Sequence, residues 1–387
     1  MKKYLLLFLF CIACQAPSEP LGIKINYERH YETIDFCRGI DVSNSVLVAA
    51  TNHNGYMRYN IIDEEGYPTL ELANHISDLV NIVGDDAAYD VLISNNIKDM
   101  AFILDDVDNI ILEHFDDGDI LTLLDCGNSR LYRSIVLNDD IQDTTILFTL
   151  QKHFEELPDG FFPYSTSVGI REFYNTEIFG DVEFESSGCD AAINLDIEAM
   201  KIFYSDNILT VADGGLGVQI YRYNRYKPEE FIDSSGNGEY DEGEEFVDTN
   251  QDGEYSVIKD YFEYKDNFYI QGGSAESLFS INNFVFGGFD NDRGCYMALL
   301  DLNGSIISNL TFADGYSINA IDYDNGILAL AAGNDGVIIY EWTESPNLNL
   351  KGILSTGDDN YVYDLKVSGE NIYIASEDGI SIYKIGI

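Results

Sequence analysis

Hydrophobic and polar positions alternate along this chain with a period of two, in short runs broken by Asp, Asn and Gly. The clearest copies span residues 38–61, 200–223, 318–342 and 362–385. Each opens with an alternating run and passes a polar turn (Ser43-Asn44, Asp206-Asn207, Asp324-Asn325-Gly326, Ser368-Gly369-Glu370-Asn371). A β-branched and aromatic run follows and ends in small residues. An Asp/Asn/Gly loop then leads to a Gly that opens a third run. Period-two alternation sends side chains to opposite faces of a strand, and short Asn/Asp/Gly turns suit hairpins. Each copy therefore predicts three antiparallel strands joined by two hairpins. Residues 276–302 match well and 89–112 moderately; 133–174 match only with an insertion at 158–163.

The position that opens the third run falls at Gly55, Asp108, Gly169, Gly217, Gly294, Gly336 and Gly379. The shortest intervals are about 42 residues, the range expected of propeller blades. A lone blade cannot bury both faces, so blades stack around an axis and close, which also removes free strand edges. Seven markers predict an all-β fold: a β-propeller of seven four-stranded antiparallel blades. Residues 22–33 precede the first copy and are expected to add a strand to the last blade. The competing architectures are an open β-solenoid, a row of sandwich domains, or a ring of six or eight blades.

Charge narrows the partners. The 387 residues carry 21 Lys and Arg against 68 Asp and Glu, a net charge of −47. This argues against nucleic acid, which requires a basic footprint, and against electrostatic docking on anionic lipid. It favours cations. With 45% hydrophobic residues, 27 Tyr and 22 Phe, the chain can nevertheless fill a large core.

The third runs VQIYRY, VIIYEW and ISIYKI resemble the LVIVD-repeat family of bacterial propellers. In that family an Asp/Gly loop leads into a hydrophobic strand of this kind. The resemblance covers four of the seven units and speaks to fold more than to activity.

The N-terminus reads as an address. Lys2 and Lys3 precede an apolar run from Tyr4 to Ala13, too short to span a bilayer but fitting a signal-peptide core. Cys11-Ile12-Ala13-Cys14 resembles a bacterial lipoprotein signal, with Cys11 where that family usually has Leu; the alternative is an ordinary secretory signal. The resemblance implies cleavage after residue 13, lipidation at Cys14 and a cell-envelope location on an outer-membrane, periplasmic or surface face. On this reading 1–13 is the signal, 14–25 a tether and 26–387 the propeller. Four further cysteines, Cys37, Cys126, Cys189 and Cys295, are widely spaced without a Cys-x-x-Cys pair. They are expected to be buried small hydrophobes, with at most one bridge.

An acidic insert occupies 228–260, with twelve Asp and Glu against Lys259 alone. Counting Asp233 as position 1 places Ser235 at 3, Asn237 at 5, Gly238 at 6, Glu239 at 7, Asp241 at 9 and Glu244 at 12. This is the calcium-loop spacing: alternate oxygen ligands, a carbonyl at 7, a bidentate carboxylate at 12, and Gly for the sharp turn. A second start has Asp248, Asn250, Asp252 and Gly253 at 1, 3, 5 and 6 and the Glu254 carbonyl at 7. Lys259 at its position 12 cannot ligate, so an acid from elsewhere is expected, such as Asp260 or Glu245. The pair resembles the EF-hand-like and thrombospondin-type calcium repeats of secreted bacterial proteins. Calcium is thus the expected cofactor, in a loop without flanking helices and with a structural role. The alternative is a solvated acidic loop.

Catalytic motifs do not stand out. The five His are His30, His53, His75, His114 and His153. No Gly-x-Ser-x-Gly elbow, P-loop or His-Glu-x-x-His appears, and 214–217 is a blade turn that opens no helix. The expected function is a lipid-anchored, non-catalytic binding or scaffold propeller with a calcium-stabilised insert and an unidentified protein or glycan ligand. The rival is a calcium-dependent propeller hydrolase acting at the mouth of the central channel.

Overall fold

The structure, a computed structural model, describes residues 24–33, 35–43, 45–77, 88–94, 100–105, 110–115, 120–123, 130–141, 144–157, 160–175, 182–185, 193–195, 199–249, 253–357 and 360–386. The described strands form seven antiparallel sheets. Blades 1 to 6 occupy 39–76, 88–123, 130–195, 201–268, 275–312 and 320–354; blade 7 combines 362–386 with 24–32. Within blades 1 to 6 the strands follow chain order outward from the axis. Their inner strands are Gly39–Ser43, Ala88–Ile93, Arg130–Ile141, Lys201–Ser205, Ala275–Ile281 and Ala320–Asp324; that of blade 7 is Val362–Ser368. Each inner strand packs against the next around a closed circuit, from blade 1 through blade 7 and back to blade 1. The seven-bladed propeller expected from the repeats is the fold.

The N-terminal strand closes the ring. Lys24–Glu32 runs antiparallel to Gly379–Gly386, from Glu32 opposite Gly379 to Lys24 opposite Gly386. The chain's two ends thus complete one blade, and pairing begins inside the last two residues of the expected tether. Residues 1–23, with Cys14 and the signal segment, lie outside the described residues, as do Cys126, Cys189 and Asp108. Among the described residues no helix is long and apolar enough to cross a membrane.

Blade faces supply the core. Seven buried apolar clusters stand in the seven gaps between neighbouring blades. Between blades 5 and 6, Trp342 is 1% exposed and meets Phe284, Phe286 and Tyr323 edge-on at 5.1, 5.0 and 4.8 Å. Burying each such side chain contributes about 1.5–3 kcal/mol. Because every cluster belongs to two blades, no blade is stable alone.

The repeated Asp/Asn/Gly loop has one geometry. Thr51 N, Asp213 N and Ala332 N donate to the carbonyls of Gly55, Gly217 and Gly336 at 2.7–2.8 Å. Those glycines have φ of 79°, 83° and 84°, a region that side chains disfavour. A Cβ at Gly336 would also strike the carbonyl of Leu354 at the end of the outer strand.

Gly169 departs from this expectation. It does not open a strand but lies inside Gly160–Asn175, opposite Thr149. Its bare Cα admits the side chains of Gln151 and Thr149. The cause is the expected insertion: Thr144–Leu157 and Gly160–Asn175 pair from Thr144–Tyr174 to Leu157–Gly160 with one register shift at His153/Phe154, so the extra residues lengthen both strands. A fifth short strand, Ile193–Leu195, also pairs in this blade.

Candidate functional site

The acidic insert leaves blade 4 between Val218–Pro228 and Val257–Phe268. Its first loop winds around two carboxylates. Asp233 accepts from the backbone of Gly236 and of Asn237 (3.2 Å) through one oxygen and of Gly238 (2.8 Å) through the other. Glu244 accepts from Ser234 N (2.7 Å), Ser235 N (3.1 Å) and Asp241 N (3.0 Å). These N–H donors, Gly238 foremost at Asp233 and Asp241 at Glu244, hold both carboxyls below their ordinary range. Asn237 Oδ1 accepts from Glu239 N at 2.8 Å, and its amide donates to Asp241 at 3.0 Å. Gly236 and Gly238, at φ 76° and 80°, make the turn. Asp233, Ser235, Asn237, Asp241 and Glu244 therefore share one small loop, with the Glu239 backbone tied into it. Among the described residues, no three His, Cys, Asp or Glu groups are gathered as a metal cluster.

The second loop repeats the first at an offset of fifteen residues. Gly253 N donates to Asp248 at 3.0 Å, as Gly238 N does to Asp233, and Gly253 has φ 82°. Asn250 and Asp252 lie outside the described residues. Its acid comes from upstream: Glu229, 3% exposed, accepts from Thr249 N at 2.6 Å and Ser256 N at 3.0 Å. Thr249 and Ser256 stand fifteen residues after Ser234 and Asp241, and Glu229 fifteen before Glu244. Glu229 thus holds in the second loop the place of Glu244 in the first. Asp260 instead accepts from Tyr223 OH at 2.6 Å.

Aromatic rings lock the two loops. Tyr240 stacks on Tyr255 at 3.9 Å and 13°, and Phe231 and Phe246 meet both tyrosines edge-on at 5.7–5.9 Å. Ile232 N donates to Glu245 O, and Val247 N to Glu230 O, both at 2.8 Å. The insert is a pseudo-twofold pair of loops around four rings.

The second candidate lies on the ring axis. A cavity of about 560 Å³ is lined by all seven blades near the starts of their inner strands. On the inner strands around it, acids bridge blades. Asp364 accepts from Ile40 N (3.1 Å), Asp41 from Ile93 N (2.8 Å) and Asp322 from Val367 N (2.6 Å), each on the following blade. Ser134 accepts from Ile202 N at 3.3 Å in the same sense. Lys201 pairs with Asp90 at 3.0 Å, and Lys366 with Asp41 at 3.4 Å. Burial would lower the Lys366 ammonium, but Asp41, Asp322, Asp364 and Asp90 hold it above its usual value. Burial raises Asp322 and Asp364 to about 6, against the pull of the neighbouring lysines.

The cavity lining also includes Arg38, Tyr89, Arg133, Glu276, Asn319, Tyr361, Tyr363 and Glu377. Arg38 lies over the Tyr363 ring at 4.8 Å, and Tyr363 OH donates to Glu377 at 3.3 Å. Asn319 donates to Tyr361 OH at 2.9 Å.

No described histidine side chain lines this cavity. His30 meets Ser381 at 2.9 Å, His75 meets Asn54 at 3.2 Å, and His53 is exposed. Those of His114 and His153 lie outside the described residues. Cys37 and Cys295 are buried free thiols, and burial pushes both up. The sequence did carry a signal for the axial acids: Asp41 and Asp322 share one position in the first run of their repeats. Glu229 was equally legible from the fifteen-residue offset.

The chain matches no protein-family model and no curated protein. Among solved structures, 1097 chains match, a breadth that identifies an architecture rather than a task. The computationally designed Ika8 protein superposes with a TM-score of 0.50 at 11% identity, over 92% of this chain and 98% of that one. That likeness shows the propeller fold alone.

Proposed function

We propose that the chain is a lipid-anchored, extracytoplasmic propeller that binds or scaffolds a ligand without catalysis, with calcium ordering its insert. It is read as a relative of the LVIVD-repeat propellers on the strength of its third-strand motifs. The observation that carries the non-catalytic reading is the occupation of the axial carboxylates. Asp41, Asp322 and Asp364 each accept a backbone amide of the next blade, and Asp90 holds Lys201. Acids committed to joining blades are poor general acids or bases.

In the insert, calcium would take Asp233, Ser235, Asn237, the Glu239 carbonyl, Asp241 and Glu244. In the second loop it would take Asp248, Asn250, Asp252 and the Glu254 carbonyl, with Glu229 as the bidentate acid. Neutralising these carboxylates would relieve a self-repelling segment and stabilise the folded state by mass action.

The test is thermal unfolding of the mature protein with millimolar calcium or with chelator. Calcium is expected to raise Tm by a few degrees, and Asp233→Ala with Glu244→Gln to abolish the shift. An unchanged Tm in calcium would refute the calcium role. Turnover on ester, lactone or glycoside panels would favour instead a calcium-dependent hydrolase at the channel mouth. The observation behind that alternative is the Asp364 carboxyl, raised to about 6 and facing the cavity.

A further inference from the structure

The axial cavity is lined by two guanidinium groups, Arg38 and Arg133, that no carboxylate among the described residues pairs with. Arg38 precedes the inner strand of blade 1, and Arg133 lies in that of blade 3. The Nε of each is buried without a hydrogen-bond partner, and neither forms an ion pair among the described residues. In a chain of net charge −47, acids are abundant, yet among the described residues none is paired with either group. A buried unpaired N–H costs about 1–3 kcal/mol, more on a charged group. A guanidinium matches a carboxylate fork, so the missing partner is an anion brought from outside.

The opposite side of the mouth carries the complementary charge. Glu276, in blade 5, lines the same cavity, and its carboxyl has no hydrogen bond or ion pair among the described residues. Between the poles, Tyr361 and Tyr363 lie 4.8 Å apart, with Tyr89 on blade 2. The whole-molecule charge selects further. A plain anion approaches against a strongly negative field, whereas a zwitterion of no net charge does not.

We propose that the channel mouth binds a short peptide-like zwitterion, its carboxylate held by Arg38 and Arg133 and its ammonium by Glu276. The aromatic rings pack on its apolar part. A cavity of about 560 Å³ falls within the range that buries small ligands. This deepens the proposed binding role and rests on it.

The experiment is calorimetric titration of the mature, full-length protein with alanyl-alanine, its C-terminal amide, its N-acetyl form, and glucuronate. Saturable binding of the dipeptide is expected, weakened about tenfold or more by amidation and by acetylation, the loss of one charge-assisted contact. Arg38→Gln and Arg133→Gln should each weaken the dipeptide similarly. Glu276→Gln should weaken the dipeptide but spare the N-acetyl form. If an arginine variant fails to fold, the modified ligands and Glu276→Gln still decide. Absence of dipeptide binding, indifference to both arginines, or binding of glucuronate alone would each overturn the proposal. The calcium-dependent Tm shift, measured on the same samples, is independent of the channel. Its survival beside failed dipeptide binding would leave the broader role standing without this ligand class.

Discussion

Gly336 shows how much one residue carries in a repeated loop. Its φ of 84° and the nearby Leu354 carbonyl both forbid a side chain. Gly336→Ala is expected to cost about 1–3 kcal/mol, read as a lower urea midpoint with unchanged slope. Gly169→Ala tests the other use of glycine, close approach of Gln151 and Thr149 inside a strand. Titration belongs to this scale too. Asp322 and Asp364 sit at about 6 in the folded ring against about 3.9 in an open chain. Folded protein therefore binds these protons more tightly than unfolded protein. The stability they contribute is full below about pH 4 and is lost as pH rises through about 6. Asp233 and Glu244, held low, act in the opposite sense at lower pH. The clean measurement is a difference: Asp364→Asn should gain stability relative to the parent as pH rises from 4 to 7. A parallel pair of Tm curves would contradict this.

Between residue and ring, the unit that matters is the inner strand with its acid. Asp41, Asp322 and Asp364 each satisfy an N–H of the next blade, so neighbouring blades are joined by polar contacts as well as by the apolar clusters behind them. Asp322→Ala removes the acceptor from Val367 N and one carboxylate from the surroundings of Lys366. A cost of about 1–3 kcal/mol is expected in chemical denaturation, with Asp322→Asn milder because an amide oxygen still accepts. The first-run pattern made the strands legible, but it did not distinguish an acid in a turn from an acid on the axis. In Asp322 and Asp324 the two lie two residues apart on one strand. Only stacking around the axis shows that both reach blade 7: Asp322 accepts from Val367 N, and Asp324, though exposed, accepts from Gly369 N at 2.7 Å. The insert shows the converse. The template exposed the first loop completely, whereas the second loop's acid lay upstream of the template, at Glu229.

At the scale of the molecule, closure is the decisive event. Lys24–Glu32 seals Gly379–Gly386, whose buried Ile380 and Ile382 pack against blade 1 and whose buried Ile385 packs against blade 6. Removing residues 24–32 should leave an open edge in an incomplete blade. Such a chain is expected to lose its single cooperative transition and to form higher oligomers on size-exclusion chromatography; a monomer melting like the parent would show that closure is dispensable. Closure also makes the axial cavity, since its walls come from every blade.

The sequence by itself determined the strands, the hairpins, the repeat count and the spacing of the first acidic loop. Alternation, turn chemistry and ligand intervals are local properties of the chain, and they survive without neighbours. The tertiary structure alone decided which acids reach across to the next blade, and that Arg38 and Arg133 share one cavity with no ion pair to either among the described residues. Those facts depend on residues far apart in sequence meeting around a closed ring, and no local pattern records where a ring places its centre.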